Sequence, residues 1–95
     1  MGGAASVPDS DELRKKRLAI WAARRGTREM DLILSRYSAA RLAQMNPAAL
    51  DLFESLLAQN DQDLYQWISG QSPAPAHFRA LVAEIAQTIA QALRL

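Results

Sequence analysis

The chain has 95 residues, of which 49% are hydrophobic and 22% are charged, a balance typical of one small globular domain. It has no cysteine and a single histidine, His77. These counts exclude disulfide frameworks, thiolate metal sites, cysteine nucleophiles and histidine-rich metal sites, and they argue against an enzyme. Residues 1–41 hold nine basic and five acidic residues, whereas residues 42–95 hold two basic and five acidic ones. Such an uneven charge concerns binding partners rather than fold.

The first forty residues predict a leader and two helices. Residues 1–9 are mostly small and include Pro8, so we predict a disordered leader. The capping pattern of Asp9 and Glu12 then predicts a helix that ends near residue 25. We expect Gly26 to end it in the left-handed conformation and Thr27 to cap a second helix. The apolar positions of the first helix are Leu13, Leu18, Ile20 and Trp21, and those of the second, which share one helical face, are Met30, Ile33, Leu34 and Tyr37.

The remaining sequence predicts three or four further helices. Ser38 is a candidate cap for a short helix that passes through Leu42 and Met45. Asn46 followed by Pro47 predicts a helix start, and Asn60 predicts another. Residues 70–75 read as a loop because they contain glycine, serine and two prolines. The apolar positions of these later helices are Leu50, Phe53, Leu56 or Leu57, Leu64, Trp67, Ile68, Phe78, Leu81, Val82, Ile85, Ile89 and Leu93.

These elements predict an all-α fold, a compact single-domain bundle of about five short helices that occupies residues 10–95. No segment shows the alternating pattern of a strand. No apolar run approaches the ~20 residues that a membrane-spanning helix needs, and no secretory signal is apparent. We therefore expect no membrane insertion and an intracellular location.

The turn between the first two helices is not explained by core packing or capping alone. Arg24, Arg25 and Arg28 surround Gly26 here, and two carboxylates, Glu29 and Asp31, follow closely. Arg25 and Glu29 are four residues apart, a spacing that predicts an ion pair across the turn. One interpretation is a solvated junction whose charges cap helix ends. The other is a binding surface, because arginine and tryptophan are favoured at protein interfaces and a glycine permits close approach.

Residues 25–29 form an R-G-x-x-E motif, and Asp61, Asp63, Leu64, Tyr65 and Trp67 form a D-x-D-L-(aromatic)-x-W pattern. In this order and spacing, the two patterns resemble the succinate dehydrogenase assembly factor family, called SdhE in bacteria, which also has a mitochondrial counterpart. The resemblance covers roughly residues 14–92. Thr27 departs from it, since family members commonly carry a larger apolar residue there.

The resemblance implies a five-helix assembly factor or chaperone that is not an enzyme. It binds the flavoprotein subunit of succinate dehydrogenase, with the fumarate reductase flavoprotein as a second candidate, and promotes covalent attachment of FAD. The cofactor would belong to the partner, so this chain would hold no cofactor of its own. Separately, we expect no bound metal and a monomer. The expected compartment is the bacterial cytoplasm, or the mitochondrial matrix if the source is eukaryotic. Carried over by position, the flavoprotein-binding residues are Arg25, Gly26 and Glu29, with Arg24, Arg28, Asp31 and Trp21 as neighbours.

Two other functions compete with this interpretation. The basic run of residues 14–17 on the first helix is compatible with nucleic-acid binding, although the sequence shows no helix-turn-helix spacing and no stacking platform. A helical adaptor or antitoxin-like regulator would share the fold and differ only in its partner. For single residues, we expect Trp67 to lie in the core, Tyr65 to be exposed and His77 to have no catalytic role, while Trp21 is either core or the edge of the contact surface.

Overall fold

The computed structural model describes the backbone of residues 3–92 and the side chains of residues 11–91. Five α-helices follow one another as α1 (Gly3–Ala22), α2 (Arg28–Arg41), α3 (Pro47–Leu57), α4 (Asp61–Ile68) and α5 (Arg79–Ala92). Single 3₁₀ turns lie before α3, at Leu42–Gln44, and before α5, at Ala76–Phe78. The predicted all-α bundle of five helices is confirmed, and residues 3–92 contain no strand.

Three helix starts lie where the sequence places them, because each has a side chain that accepts a backbone hydrogen bond. The Thr27 hydroxyl accepts from the amide of Met30 at the start of α2. Asn46 accepts from the amide of Ala49 before α3, and Asn60 caps α4 in the same way. Such bonds satisfy amides that have no partner within the helix.

One hydrophobic core is shared by all five helices. α2 packs against α1 and α5, while α1 also contacts α3 and α4 also contacts α5. The Tyr37 and Phe53 rings lie 5.7 Å apart in this core, and the Trp67 and Phe78 rings lie 5.9 Å apart. The buried residues are Leu18, Ala22, Met30, Leu34, Tyr37, Leu42, Leu50, Phe53, Leu56, Leu57, Leu64, Ala74, Phe78, Leu81, Val82 and Ile85.

Most predicted core positions are confirmed. Leu50, Phe53, Leu56 and Leu57 of α3 are all buried, and Ile33, Trp67, Ile68 and Ile89 pack against the core while partly exposed. Leu93 lies outside the residues whose placement is described.

The first helix differs from the prediction in its inward face and in its start. Among its described side chains, those of residues 11–22, Leu18 and Ala22 are buried one turn apart, whereas Leu13 and Ile20 are 60% and 55% exposed. Pro8 and the Asp9 cap predicted that the helix begins at about residue 9, but the backbone is already helical from Gly3. Disorder of residues 1–9 in solution stays a prediction.

Ser38 does not begin a new helix. It lies inside α2, which continues to Arg41, and its side chain is buried. The prediction was wrong because serine occurs both at helix caps and inside helices, and the residues around Ser38 do not distinguish the two.

Within the described part of the chain, no helix is both long and apolar enough to cross a membrane.

Candidate functional site

The turn between α1 and α2 spans residues 23–27, and it closes through hydrogen bonds rather than through an unusual glycine conformation. The amide of Ala23 donates to the carbonyl of Ala19, and that of Arg24 donates to the carbonyl of Trp21 at 3.1 Å. Gly26 does not adopt a positive φ; Gly70, in the loop after α4, is the glycine with φ of 83°. The prediction that Gly26 adopts the left-handed conformation is therefore wrong. Any requirement for glycine at this position must have a cause other than backbone conformation.

Arg25 turns inward from this junction and reaches the turn between α3 and α4. Its side chain is 6% exposed, and Nε donates to Oδ1 of Asp61 at 2.8 Å. Nη2 donates to the carbonyl of Gln59 at 3.1 Å. The guanidinium carbon also lies 5.9 Å from the centre of the Trp21 ring, a cation–π distance. The predicted Arg25–Glu29 pair is thus wrong, because a carboxylate from a distant part of the chain binds the arginine instead.

Asp61 also fixes the backbone of Gly26. Its second oxygen, Oδ2, accepts a hydrogen bond from the Gly26 amide. A Cβ atom at position 26 would lie 2.9 Å from the same oxygen. Asp31 completes the arrangement, because its carboxylate accepts from the backbone amide of Arg25. We call Arg25, Gly26, Asp31 and Asp61 the junction cluster.

The predicted site residues therefore divide into two groups. Arg25, Gly26 and Asp31 belong to the junction cluster. Arg24, Arg28 and Glu29 are exposed around it, and Trp21 is 37% exposed at its edge rather than in the core. We call Trp21, Arg24, Arg28 and Glu29 the docking surface. An arginine pair beside a tryptophan and a carboxylate offers planar hydrogen-bond donors and aromatic area, which are common at protein interfaces.

Beside the docking surface lies a groove that sequence reasoning did not assign to the site. One part, of about 520 Å³, is lined by polar residue types, and an adjoining depression of about 280 Å³ is more apolar. Glu29 and Tyr65 line both parts. Leu32, one turn after Glu29, is 52% exposed in the depression, and Tyr65 is 42% exposed, as predicted.

Asp61, Leu32 and Tyr65 lie at this candidate site but were not among the predicted site residues, for different reasons. Leu32 lies off the periodic core face of α2, and an exposed leucine beside a charged motif was the available signal. Asp61 and Tyr65 belong to the second sequence pattern, but no local feature relates that pattern to the turn at Gly26.

The basic run on α1 is partly used within the molecule. Arg14 binds Asp51 at 2.7 Å and Glu54 at 2.8 Å. The hydrogen bonds to these two carboxylates raise the pKa of Arg14, and the bond to Asp51 has the larger effect. Lys15 donates to the carbonyl of Ala43 at 2.8 Å. Half of the run is thus engaged by the chain itself, which weakens the nucleic-acid interpretation.

His77 and the acidic side chains form no metal-binding group among residues 11–91. His77 is exposed, and its ring lies 4.0 Å from that of Phe78. In this part of the chain, no three acidic or histidine side chains come together in a group that could hold a metal ion. The chemistry that the junction does offer is hydrogen bonding and charge at a surface.

Comparisons with known proteins agree with the resemblance drawn from the two motifs. The model of the Sdh5 family, described as flavinator of succinate dehydrogenase, matches residues 16–89. The FAD assembly factor SdhE of Legionella pneumophila (strain Lens) is 32% identical over 72 residues, which cover 76% of this chain and 91% of the relative. The FAD assembly factor SdhE of Xylella fastidiosa (strain 9a5c) is 34% identical over 82 residues, or 85% of this chain and 84% of the relative.

A eukaryotic relative extends the comparison. The mitochondrial succinate dehydrogenase assembly factor 2 of Schizosaccharomyces japonicus is 33% identical over 70 residues, which are 74% of this chain and 49% of that protein. The family match includes the α1–α2 junction, the groove and the turn that carries Asp61. The chain therefore belongs to the Sdh5 family, the flavinators of succinate dehydrogenase.

Proposed function

We propose that this protein is an assembly factor that binds the flavoprotein subunit of succinate dehydrogenase and promotes covalent attachment of its FAD. The observation that carries the proposal is the docking surface. It presents exposed arginines and a carboxylate on a junction closed by hydrogen bonds, within a chain that matches the flavinator family.

The docking surface is suited to recognition of a folded protein. The planar guanidinium groups of Arg24 and Arg28 offer paired donors to carboxylates or backbone carbonyls of the partner. Glu29, next to Arg28 in sequence, offers an acceptor, and the exposed Leu32 and Tyr65 add apolar area along the adjoining groove. A polar surface next to aromatic and aliphatic side chains is the usual composition of an interface between separately folded proteins.

The role we propose is non-catalytic. The protein would hold the flavoprotein so that the flavin and the residue that accepts it are well oriented, and the bond would form through the chemistry of the flavin. FAD would stay with the partner, and this chain would bind no cofactor or metal of its own. The fumarate reductase flavoprotein is a second candidate partner. The assembly factor would act as a monomer, in the bacterial cytoplasm or, for a eukaryotic source, in the mitochondrial matrix.

The test is co-expression of the succinate dehydrogenase flavoprotein with the wild type or with Glu29→Ala, followed by measurement of covalent flavin per flavoprotein. Glu29 is exposed, so we expect the variant to lose less than about 1 kcal/mol of folding stability, mostly its favourable position in the first turn of α2. Covalent flavin should fall severalfold.

Glu12→Ala is the matched control, because Glu12 is an exposed carboxylate on α1 away from the junction. It should leave covalent flavin at the wild-type level. If Glu29→Ala also leaves it unchanged, the docking surface is not the contact. If the wild type itself neither binds the flavoprotein nor raises its covalent flavin, the proposed function is rejected.

A further inference from the structure

The carboxylate of Asp61 connects two turns that are far apart in sequence. Oδ1 accepts a hydrogen bond from Nε of Arg25 at 2.8 Å, and Oδ2 accepts one from the backbone amide of Gly26. The Asp61 side chain is 15% exposed and the Arg25 side chain 6%. Because both oxygens are bound and the pair is mostly shielded from water, the carboxylate has one favourable position relative to the junction.

That position leaves no room for a side chain at residue 26. A Cβ atom there would lie 2.9 Å from Oδ2 of Asp61, closer than carbon and oxygen normally approach. Asp61 lies in the first turn of α4, directly after the cap Asn60, so its backbone has little freedom to withdraw. A side chain at position 26 would therefore push Oδ2 of Asp61 away from the Gly26 amide and disturb the hydrogen bond between the same carboxylate and Arg25.

We propose that Asp61 is a positioning residue for the docking surface, and that Gly26 is required because it makes room for the Asp61 carboxylate rather than because it touches the partner protein. This inference rests on the proposed function for its binding part. Arg28 and Glu29 follow Gly26 within one turn, so the path of the backbone at Gly26 sets where their side chains meet the partner. Asp61 acts on the partner only through that path.

A double-mutant cycle tests the proposal. Gly26→Ala is made in the wild type and in Asp61→Ala, and each full-length protein is measured for its unfolding free energy and its Kd for the flavoprotein. If Gly26 makes room for Asp61, Gly26→Ala should weaken binding about tenfold in the wild type, and the loss should largely disappear in Asp61→Ala. The gain in stability that alanine brings by restricting the unfolded chain is common to both backgrounds and cancels.

Two further variants separate steric from charge effects. Asp61→Asn keeps the size of the side chain, so Gly26→Ala should still weaken binding in that background. Asp63→Ala removes an exposed carboxylate two residues away and should leave both Kd and the effect of Gly26→Ala as in the wild type.

Each outcome decides the proposal. Equal losses from Gly26→Ala in both backgrounds, in stability and in binding, would show that the two residues act independently and would overturn it. Coupling in stability with no effect of Asp61→Ala on the Kd of the folded protein would reduce Asp61 to a structural residue and reject the positioning role. Failure of the wild type to bind rejects the proposed function together with that role, while the stability cycle, which needs no partner, still decides whether Gly26 makes room for Asp61.

Discussion

The two ends of α2 are each joined to another helix by an arginine–carboxylate pair, but the pairs differ in burial. Before its first residue, Arg25 binds Asp61 at 2.8 Å, with side chains 6% and 15% exposed. At its last residue, Arg41 binds Glu84 of α5 at 3.1 Å, with side chains 50% and 39% exposed. The chemical groups are the same, and the separation differs by 0.3 Å.

Burial decides what each pair contributes. Water and salt screen the Arg41–Glu84 pair, so this pair contributes little to the free energy of folding. The Arg25–Asp61 pair is shielded, and removal of one partner would leave a charge without compensation in a poorly hydrated place. The buried pair therefore defines the geometry of its turn, whereas the exposed pair accompanies a geometry that the core already determines.

The largest expected effect comes from removing the buried arginine. Arg25→Ala should lower the unfolding free energy by about 3 kcal/mol, because Asp61 and the Gln59 carbonyl lose their donors. Denaturant titration measures the loss. Arg24→Ala, which changes an exposed neighbour, should stay close to the wild type, and an equal loss in both variants would contradict the distinction between the two arginines.

At the other end of α2, Tyr37 should make the protein sensitive to alkali. Burial, together with the negative charge of Glu84, raises the pKa of Tyr37 to about 12 from its ordinary value of 10.0. The folded protein thus holds the phenolic proton more tightly than the unfolded chain, so the contribution of Tyr37 is complete below pH 10 and is lost as the pH rises toward 12. The expected slope is about 1.4 kcal/mol per pH unit in that interval.

The Tyr37 prediction is measured as the difference between the wild type and Tyr37→Phe in unfolding free energy across pH 9 to 12, which cancels the titration of the lysines. The slope should be absent in Tyr37→Phe. Tyr65→Phe, which changes an exposed tyrosine, should keep it. Parallel curves for the wild type and Tyr37→Phe would show that Tyr37 does not titrate differently in the two states.

Replacement of Ser38, which follows Tyr37, should increase the stability of the protein. Its hydroxyl is buried and has no hydrogen-bond partner in the described part of the chain, an arrangement that costs folding free energy. Ser38→Ala should raise the unfolding free energy by about 1 kcal/mol, aided by the better helix propensity of alanine. Ser35→Ala is the control, because the Ser35 hydroxyl donates to the Asp31 carbonyl at 2.7 Å. A loss of stability in Ser38→Ala would indicate that water satisfies the hydroxyl.

The smallest effect is expected from the exposed pair. Arg41→Ala should change the unfolding free energy by about 0.5 kcal/mol at low salt, and the difference should shrink in 1 M salt, where the charges are screened. Thermal unfolding at two salt concentrations measures this. A loss as large as that of Arg25→Ala would contradict the argument that burial separates the two ends of α2.

Local chemistry made much of the fold predictable. Thr27, Asn46 and Asn60 cap helices as expected, since a cap depends on residues within one turn of it. The core face of α2 followed from its spacing. By contrast, Leu13 and Ile20 have the hydrophobicity of core residues but lie on a face of α1 that no other helix covers, and a hydrophobic residue alone does not reveal this.

The sequence showed which residues crowd the α1–α2 turn but not how the fold divides them. The R-G-x-x-E motif did not reveal that Arg25 points inward while Arg24 and Arg28 stay exposed. That outcome depends on Asp61, 36 residues further along the chain, and on the way the core brings the two turns together. Short-range patterns contain no information about such a contact.

The separation between Arg25 and Asp61 also has a consequence for the order of events in the cell. During synthesis, residues 24–29 leave the ribosome well before residues 59–61, which supply the carbonyl and carboxylate that Arg25 binds. A nascent chain that ends before α4 has the complete motif in its sequence but not the contacts that shape it. The junction cluster therefore takes its final geometry only after α4 has joined the bundle.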